Sequence, residues 1–460
     1  MKFSLADLRS AKVHFIGVGG AGMSGIARIM LDQGISVTGS DVKESQVLVG
    51  LRALGGDISV GHAPENIDGA GLIVVSGAIS EKNVEMLAAR ASGVPILQRA
   101  EALSILMSDS ISVAVAGTHG KTTTTSMLTV AVQHAGLDPS FAIGGMINSS
   151  GTNAHRGSGS IFIAEADESD GSFLVYHPFG AIVTNVELDH VDHFADLPAI
   201  MRIFQEFVST IRPGGFLVLC SDDPGSQELR ALVVRQDIRI VTYGESGDFG
   251  ISRISLAATS SSARITLNGR VLGELKLSVP GKHNIYNAVA ALAAGTELGV
   301  DEDDLLSGLS MFTGTRRRFE VKGEVRGVRV VDDYGHHPTE IDATLTTARL
   351  FAGAGRLLVI FQPHRFSRTQ AFASEFAATL SQADSVYLLE IYPASEDPIP
   401  GVTSALIAQR ISHKNVIVEP SMVDMVNRVV ADAREGDVIM TLGAGDVSSL
   451  APVILSALSE

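Results

Sequence analysis

The feature that most constrains this chain is a rhythm of short, apolar, β-branched runs, each ending in Gly, Asp, Ser or Asn. They are VHFIGVGG (13–20), LIVVSGA (72–78), ISVAVAGTHG (111–120), IFIAEAD (161–167) and AIVTNVELD (181–189), followed by FLVLCSDD (216–223), LLVIFQP (357–363), SVYLLEIYP (385–393) and DVIMTLGAGD (437–446). Runs that are apolar throughout, rather than at alternate positions, suit strands covered on both faces, as parallel sheets require. Helical patterns fill the intervals, as at 100–107, 339–351, 367–382 and 422–434. Alternating strand and helix predicts an α/β fold of open, doubly wound, mostly parallel sheets, with ligands gathered at the strand carboxyl ends. The rhythm breaks at 251–279, where alternating residues and an Asn268-Gly269 turn predict a small antiparallel meander.

A chain of 460 residues is long enough for about three domains of ordinary size. Boundaries are expected before Ile111, and near Thr313-Gly314-Thr315, giving domains at 1–108, 109–314 and 315–460. The formal net charge of −16 argues against a nucleic-acid binder that works by neutralising phosphates, and the longest basic run is Arg316-Arg317-Arg318. A bound nucleotide stays open, because one pocket needs only a few local cations and backbone N–H groups. The single cysteine, Cys220, excludes an intramolecular disulfide and a cysteine-based zinc site, and suits a reducing compartment. Asp7 and Arg9 interrupt the opening MKFSLADLRS, so it is not read as a signal peptide. No uncharged apolar stretch approaches the roughly 20 residues a bilayer needs. A soluble cytoplasmic protein with no membrane partner is expected.

Two glycine-rich turns follow apolar strands. The first, Gly17-x-Gly19-x-x-Gly22, opens a helical stretch, and Asp41 follows at the end of the next strand. That is the context of a dinucleotide fingerprint: a tight turn, close backbone approach to phosphate, a helix N-terminus, and a carboxylate for a ribose hydroxyl. The physics requires only a ligand with a diphosphate, so NAD and a UDP compound both remain open. The second is Gly117-Thr118-His119-Gly120-Lys121-Thr122, again between a strand and a helix. It reads as a P-loop, whose N–H groups cradle phosphates while Lys121 supplies charge and the Thr122 hydroxyl ligates Mg²⁺. Val115 stands where the strict pattern has glycine, so the loop is a variant. A P-loop implies a nucleoside triphosphate, for which hydride transfer has no use.

Polar clusters end the strands that follow. Glu165-Ala166-Asp167-Glu168-Ser169-Asp170 concentrates four acids, which repel one another unless cations share the site. Beside a P-loop the natural cation is Mg²⁺, though a solvated acidic loop is the plain alternative. Asn185, Glu187, Asp189-His190 and Asp192-His193 follow the next strand, as a second ion position or an ordinary surface loop. Nearer the end, a strand at 328–331 opens into Asp332-Asp333-Tyr334-Gly335-His336-His337-Pro338, and another into Gln362-Pro363-His364-Arg365-Phe366-Ser367-Arg368. Arg365 and Arg368 can form a carboxylate clamp, since a guanidinium fork matches a carboxylate. Metal binding by His336-His337 competes poorly, because adjacent residues point in different directions.

In order along the chain, GVGGAGMSGIA, GTHGKTTT, EADESD, TNVELDHVDHF, GKHNIYNA, RRFE, DDYGHHPTE and FQPHRFSRT resemble the Mur ligases, most closely their alanine-adding branch. The resemblance spans essentially the whole chain. It implies a three-domain, ATP-dependent ligase that joins L-alanine to the carboxylate of UDP-N-acetylmuramate through an acyl phosphate. It implies that the UDP-sugar is bound by Gly17, Gly19, Gly20, Ala21, Gly22, Met23, Ser24, Asp41, His62 and Ser76. It also implies that ATP is bound by Gly117, Thr118, His119, Gly120, Lys121, Thr122 and Thr123, with His283, Asn284 and Asn287 bordering the adenine and Arg318 reaching in from the domain junction. Mg²⁺ is implied at two positions, with Mn²⁺ as a substitute: one held by Thr122 and Glu165, the other by His190. Tyr334, His336, Arg365 and Arg368 are implied to hold the amino acid, with His336 as proton acceptor or orienter. Lys121, Glu165, His190, His336 and Arg365 make up the implied catalytic set. Other Mur ligases carry a carbamylated lysine after this histidine motif; residues 196–212 contain no lysine, so none is expected here. The small-molecule substrates are the only partners implied, and monomer and homodimer stay open. Two rivals leave most of these motifs idle. An NAD(P)-dependent oxidoreductase explains only residues 17–41, and a non-catalytic nucleotide switch explains only the P-loop.

Overall fold

The computed structural model describes residues 3–412 and 415–460, so Met1 and Lys2 of the opening segment lie outside it. Three sheets follow one another along the chain. The first is built from β1 (Lys12–Ile16), β2 (Ser36–Asp41), β3 (Asp57–Val60), β4 (Leu72–Val75) and β5 (Ile96–Gln98), in the order β3-β2-β1-β4-β5 with every pairing parallel. The chain order reverses between β1 and β4. That switch point opens a crevice at the strand carboxyl ends.

The central sheet holds β6 (Ile111–Ala116), β7 (Ser140–Ala142), β8 (Ala154–His155), β9 (Ile161–Glu165), β10 (Gly180–Val183), β11 (Phe216–Cys220), β12 (Arg239–Gly244), β13 (Phe249–Leu256), β14 (Ser261–Leu267) and β15 (Arg270–Leu277). Its order is β15-β14-β13-β12-β11-β10-β6-β9-β7-β8. The expected meander is there as β13 to β15, antiparallel, but it continues the parallel sheet instead of standing apart from it. Asn268 and Gly269 both take positive φ, 48° and 84°, as the tight hairpin between β14 and β15 requires.

The third sheet holds β16 (Glu320–Val325), β17 (Val328–Asp333), β18 (Leu357–Phe361), β19 (Ser385–Leu388), β20 (Val416–Val418) and β21 (Val438–Leu442), in the order β16-β17-β21-β18-β19-β20. All its pairings are parallel except the edge pair β16–β17. The largely apolar runs β4, β10, β11, β18 and β21 are buried along their whole length, the outcome of helices covering both faces.

The helices that matter for the site start at strand ends. They are α1 (Ala21–Asp32), α2 (Lys121–His134), α3 (Lys282–Glu297), α4 (Pro338–Ala352), α5 (Phe366–Ala371) and α6 (Ala373–Leu380). Two expectations are corrected. The helix at 367–382 is broken into α5 and α6 at Phe372, whose φ of −117° lies outside the helical range. Asp332 and Asp333 do not lie in a loop; they are the last residues of β17, buried, with Asp332 accepting from Thr441 Oγ1 at 2.7 Å. Among the described residues no helix is long and apolar enough to cross a membrane.

Candidate functional site

The first glycine turn lies at the switch point of the N-terminal sheet. Gly17 and Val18 both donate to the Ser40 carbonyl at 2.9 Å, and Gly19 N donates to Asp41 Oδ2 at 2.8 Å. Helix α1 starts with Gly20 as N-cap and no side-chain cap, so its first amides face outward beside the helix's positive end. A β-carbon on Gly22 would lie 2.6 Å from Arg99 Nη1, so the third glycine of the pattern lets an arginine cross the first turn. Ala21, Gly22 and Arg99 line a cavity of about 200 Å³ whose other side is Gly144, Glu165 and Asp167 of the central sheet. Arg99 carried no motif and was not legible in the sequence. His62 is held by Ser40 and Glu85, and Ser76 lies just beyond β4, its carbonyl accepting from Ile79 N.

The second turn explains its own variant. Val115 is inside β6, buried, in register with Ile182 and Glu165, so the loop begins at Gly117. Gly117 and Gly120 both have positive φ; a β-carbon would lie 2.1 Å from Thr184 Oγ1 at the first and 2.5 Å from Asn287 Oδ1 at the second. Lys121 Nζ donates to the carbonyls of Gly117 and Thr118, at 2.7 and 3.1 Å, and pairs with Glu168 at 2.9 Å. Burial pulls the Lys121 pKa down, but Glu168 and Asp167 outweigh it, so the ammonium stays charged.

The four acids are separately satisfied. Glu165 accepts from Thr122 Oγ1 at 2.9 Å and from Gly144 N at 2.6 Å, which aligns the two residues expected to share one Mg²⁺. Asp167 and Asp170 accept from the nearby amides of Ser169 and Ser172. Glu168 is 1% exposed and sits between Lys121 and His190 Nε2, the latter at 3.4 Å. Asp167, Glu168 and His190 bring one ligand atom each within 4.8 Å of one another, two carboxylates and an imidazole at a spacing that can hold a divalent cation. His190 reaches it from a strained position, φ 51°.

The Asp189–His193 run is divided between two tasks. While His190 faces the acids, Asp189 accepts from Arg368 Nε at 2.9 Å and Nη2 at 2.8 Å, and Asp192 pairs with Arg365. Both expected alanine-binding arginines are therefore engaged by acids of the central sheet. Arg368 is 3% exposed in a two-bonded pair that ties the sheets together. Arg365 is the more accessible of the two, with its side chain 27% exposed.

His119, in the P-loop, is the node between central and C-terminal sheets. It lies 3.3 Å from Glu187 and 3.5 Å from Glu340, with its ring 4.7 Å from that of His337. Burial opposes charging His119, but the two carboxylates raise it to about 9. His337 groups with His119 and Glu187 at metal-like spacing, yet its Nε2 faces the Leu188 carbonyl at 3.2 Å and its Nδ1 accepts from Thr339 N. His336 is neutral: burial drives it down to about 3, and its Nδ1 lies 3.2 Å from the Tyr334 carbonyl. The Tyr334 ring lies between Arg317 and Arg318, at 4.8 and 5.0 Å. Glu340, four residues after His336 in the DDYGHHPTE motif, also accepts His336 N at 3.0 Å. Glu340 is a site residue that sequence reasoning did not single out for a role, and Glu187, named there only within a candidate ion cluster, faces His119.

A second cavity, of about 420 Å³, lies between the P-loop and the C-terminal sheet. Its walls include His119, Gly120, Thr123, Asn284, Asn287 and Arg318, with His283, which burial lowers to about 4. Seven of the eleven expected nucleotide residues are thus drawn into one space; Gly117, Thr118, Lys121 and Thr122 do not line it.

Comparison with known proteins agrees in extent. The model described as Mur ligase family, catalytic domain, matches residues 12–110; Mur ligase middle domain matches 115–295; and Mur ligase, glutamate ligase domain, matches 317–445. The UDP-N-acetylmuramate–L-alanine ligase of Renibacterium salmoninarum is 51% identical over 100% of this chain and 98% of its own length. That of Saccharopolyspora erythraea is 50% identical over 98% of this chain and 95% of its own. Among solved structures, the UDP-N-acetylmuramate–alanine ligase of Thermotoga maritima superposes with a TM-score of 0.82 at 29% identity, covering 97% of this chain and 99% of that one. A murein peptide ligase from Psychrobacter arcticus reaches 0.73 at 26% identity, with 97% and 98% covered.

Proposed function

Because the chain belongs to the Mur ligase family, we propose that it joins L-alanine to the carboxylate of UDP-N-acetylmuramate, driven by ATP, through an acyl-phosphate intermediate that leaves ADP and phosphate as products. The relatives of that name, about half identical over nearly the full length, favour a single amino acid over a peptide as the second substrate. The observation that carries the mechanism is the pair of cavities: one runs from the first glycine turn to Glu165, the other from the P-loop to the C-terminal sheet. A long substrate anchored at the first turn can bring its far end to the P-loop, where the nucleotide's phosphates are held.

The division at 1–108, 109–314 and 315–460 assigns one substrate to each sheet. Gly17 to Ser24, with Asp41, His62 and Ser76, take the UDP-sugar. Lys121 and the loop amides hold the ATP phosphates, with His283, Asn284, Asn287 and Arg318 around the rest of the nucleotide. Thr122 and Glu165 suit one Mg²⁺, and His190 with Glu168 and Asp167 suits a second. Bound there, Mg²⁺ would neutralise charge on the transferring phosphoryl group. Lys121 stabilises the same developing charge. A carboxylate is a poor electrophile, and phosphorylation makes it a good one. The amine of alanine then attacks as its neutral form. His336 is too weak a base to retain the amine's proton, but its neutral ring can accept a hydrogen bond from the amine and orient it. Arg365 takes the alanine carboxylate once Asp192 is displaced. Closed sheets exclude water from the acyl phosphate. This reading places the enzyme in the cytoplasm, beside its nucleotide substrates.

Phosphate release measured with UDP-N-acetylmuramate, ATP, Mg²⁺ and alanine, glycine or serine tests the reading. Release that needs the UDP-sugar and is fastest with alanine is expected. Release indifferent to either substrate, or oxidation of NADH in place of ATP cleavage, would sink it.

A further inference from the structure

One buried carboxylate is explained by neither glycine turn. Glu85, on helix Val84–Ser92, is 0% exposed beneath the end of β2. It accepts from Ser40 Oγ and Asn66 Nδ2, each at 2.6 Å, and from Ala63 N at 3.2 Å, and lies 3.2 Å from His62 Nδ1. These bonds join Ser40, the neighbour of Asp41, to the loop that leaves β3. A buried carboxylate persists only where its partners are fixed. The Ser40 hydroxyl on β2 and three groups of residues 62–66 meet that condition here, with buried His14 Nε2 of β1 3.6 Å from the same carboxylate.

The directions of these bonds assign the protons on His62. An ionised Glu85 only accepts, so the Ser40 hydroxyl proton goes to it. Ser40 Oγ, 2.9 Å from His62 Nδ1, is then left to accept from that nitrogen. In the neutral ring the proton therefore sits on Nδ1, shared between Ser40 Oγ and Glu85 Oε2, and Nε2 keeps its lone pair. His62 is part-exposed, at 16%, and among the described residues its Nε2 makes no hydrogen bond. Its place in the sheet suggests what it meets. β3 lies one strand beyond β2, on the side away from β1, so the loop carrying His62 is farther from the diphosphate turn than Asp41 is. In a nucleotide the ribose separates base from diphosphate, so a nucleotide whose diphosphate sits at the first turn would extend its base toward that loop.

Resting on the UDP-sugar reading above, we propose that Glu85 is a positioning residue that fixes His62 in its Nδ1–H form, so that Nε2 accepts the N3–H of uracil and the site takes uridine over cytidine nucleotides. Uracil carries a hydrogen on N3; cytosine carries a lone pair there. A cytosine base would set that lone pair against the lone pair of Nε2, and leave both unsatisfied.

The test compares inhibition of the full-length enzyme by UDP and CDP at about pH 8, for wild type, Glu85→Gln and His62→Ala, with ATP binding as the check on folding. Two-dimensional ¹⁵N–¹H spectra of the histidine rings in the wild type are recorded alongside. Wild type is expected to favour UDP by roughly tenfold or more. In Glu85→Gln the amide can donate to Nδ1, which releases the other tautomer, so the preference should shrink toward unity while ATP binding is kept. His62→Ala should lose the preference as well, and adding Glu85→Gln to it should change the ratio no further. Retention of the UDP preference in both folded variants overturns the proposal, as does a wild-type spectrum showing His62 protonated on Nε2 alone. Failure of the wild type to bind UDP or UDP-N-acetylmuramate would instead overturn the UDP-sugar reading on which the proposal stands.

Discussion

Replacing Arg368 by alanine is expected to loosen the docking of the C-terminal sheet on the central one, rather than to remove a ligand contact. Arg368 and Asp189 are 3% and 2% exposed, and the pair makes two charge-assisted bonds of 2.9 and 2.8 Å across the junction. Burial would raise the Asp189 pKa, but Arg368 and the neighbouring histidines hold it well below the usual carboxylate range. Removing one member of a buried pair leaves the other charge uncompensated, which costs about 3–5 kcal/mol. At roughly 1.4 kcal/mol per factor of ten, the docking equilibrium shifts by about 10²-fold or more. Asp189→Asn leaves the guanidinium unpaired and should cost a similar amount. The double variant buries neither charge, so its cost should fall below the sum of the singles by about 2–3 kcal/mol. Hydrogen exchange of amides at the junction, with urea unfolding of each variant, supplies the four corners of the cycle. Turnover should fall for all three substrates together, with no selective rise in the KM for alanine. Single-variant costs that add to within about 0.5 kcal/mol, or a defect confined to the alanine KM, would refute the docking role.

Four further outcomes are expected. Lys121→Ala should lose roughly 10²-fold or more in turnover, since one charge-stabilising group is removed; near-normal phosphate release would remove the P-loop assignment. Asp41→Ala should weaken UDP-sugar binding and leave ATP binding intact by calorimetry, because Asp41 braces the Gly19 turn far from the second loop. Arg365→Ala should raise the KM for alanine, as loss of one partner of a charged pair costs about 2–5 kcal/mol, yet still form acyl phosphate without alanine, seen by borohydride trapping. Charged His119 sits between Glu187 and Glu340 with His337 against its ring, and its folded pKa of about 9 exceeds the unfolded value near 6.5. The stability it contributes is therefore complete below about pH 6.5 and lost as pH rises through about 9. Exchange at the junction should quicken across that window, and Glu340→Gln should flatten the profile.

Local sequence was enough for whatever depends on chain neighbours. Continuous apolar runs announced the central strands of three mostly parallel sheets, because burial on both faces leaves no polar alternation, while short strands such as β5, β8 and β20 carried no such run. Both glycine turns could be read, since strand, turn and helix N-terminus are contiguous. Asn268-Gly269 gave its hairpin for the same reason. The break at Phe372 escaped, because an apolar periodicity runs on through a single non-helical residue. Arg99 had no motif at all; what makes it part of the site is that Gly22, far away in sequence, leaves room for it. The pairing of Arg368 with Asp189 crosses 179 positions, and that of Glu85 with Ser40 crosses 45. By itself the sequence thus determined the long apolar strands, the glycine-rich turns and the types of charged residue at those strand ends. Only the tertiary structure decided which acid meets which base, and so which arginine is tied down and which can receive a ligand. The physical reason is that hydrogen-bond and Coulomb partners are chosen by distance in space, which the order of residues along a chain does not encode.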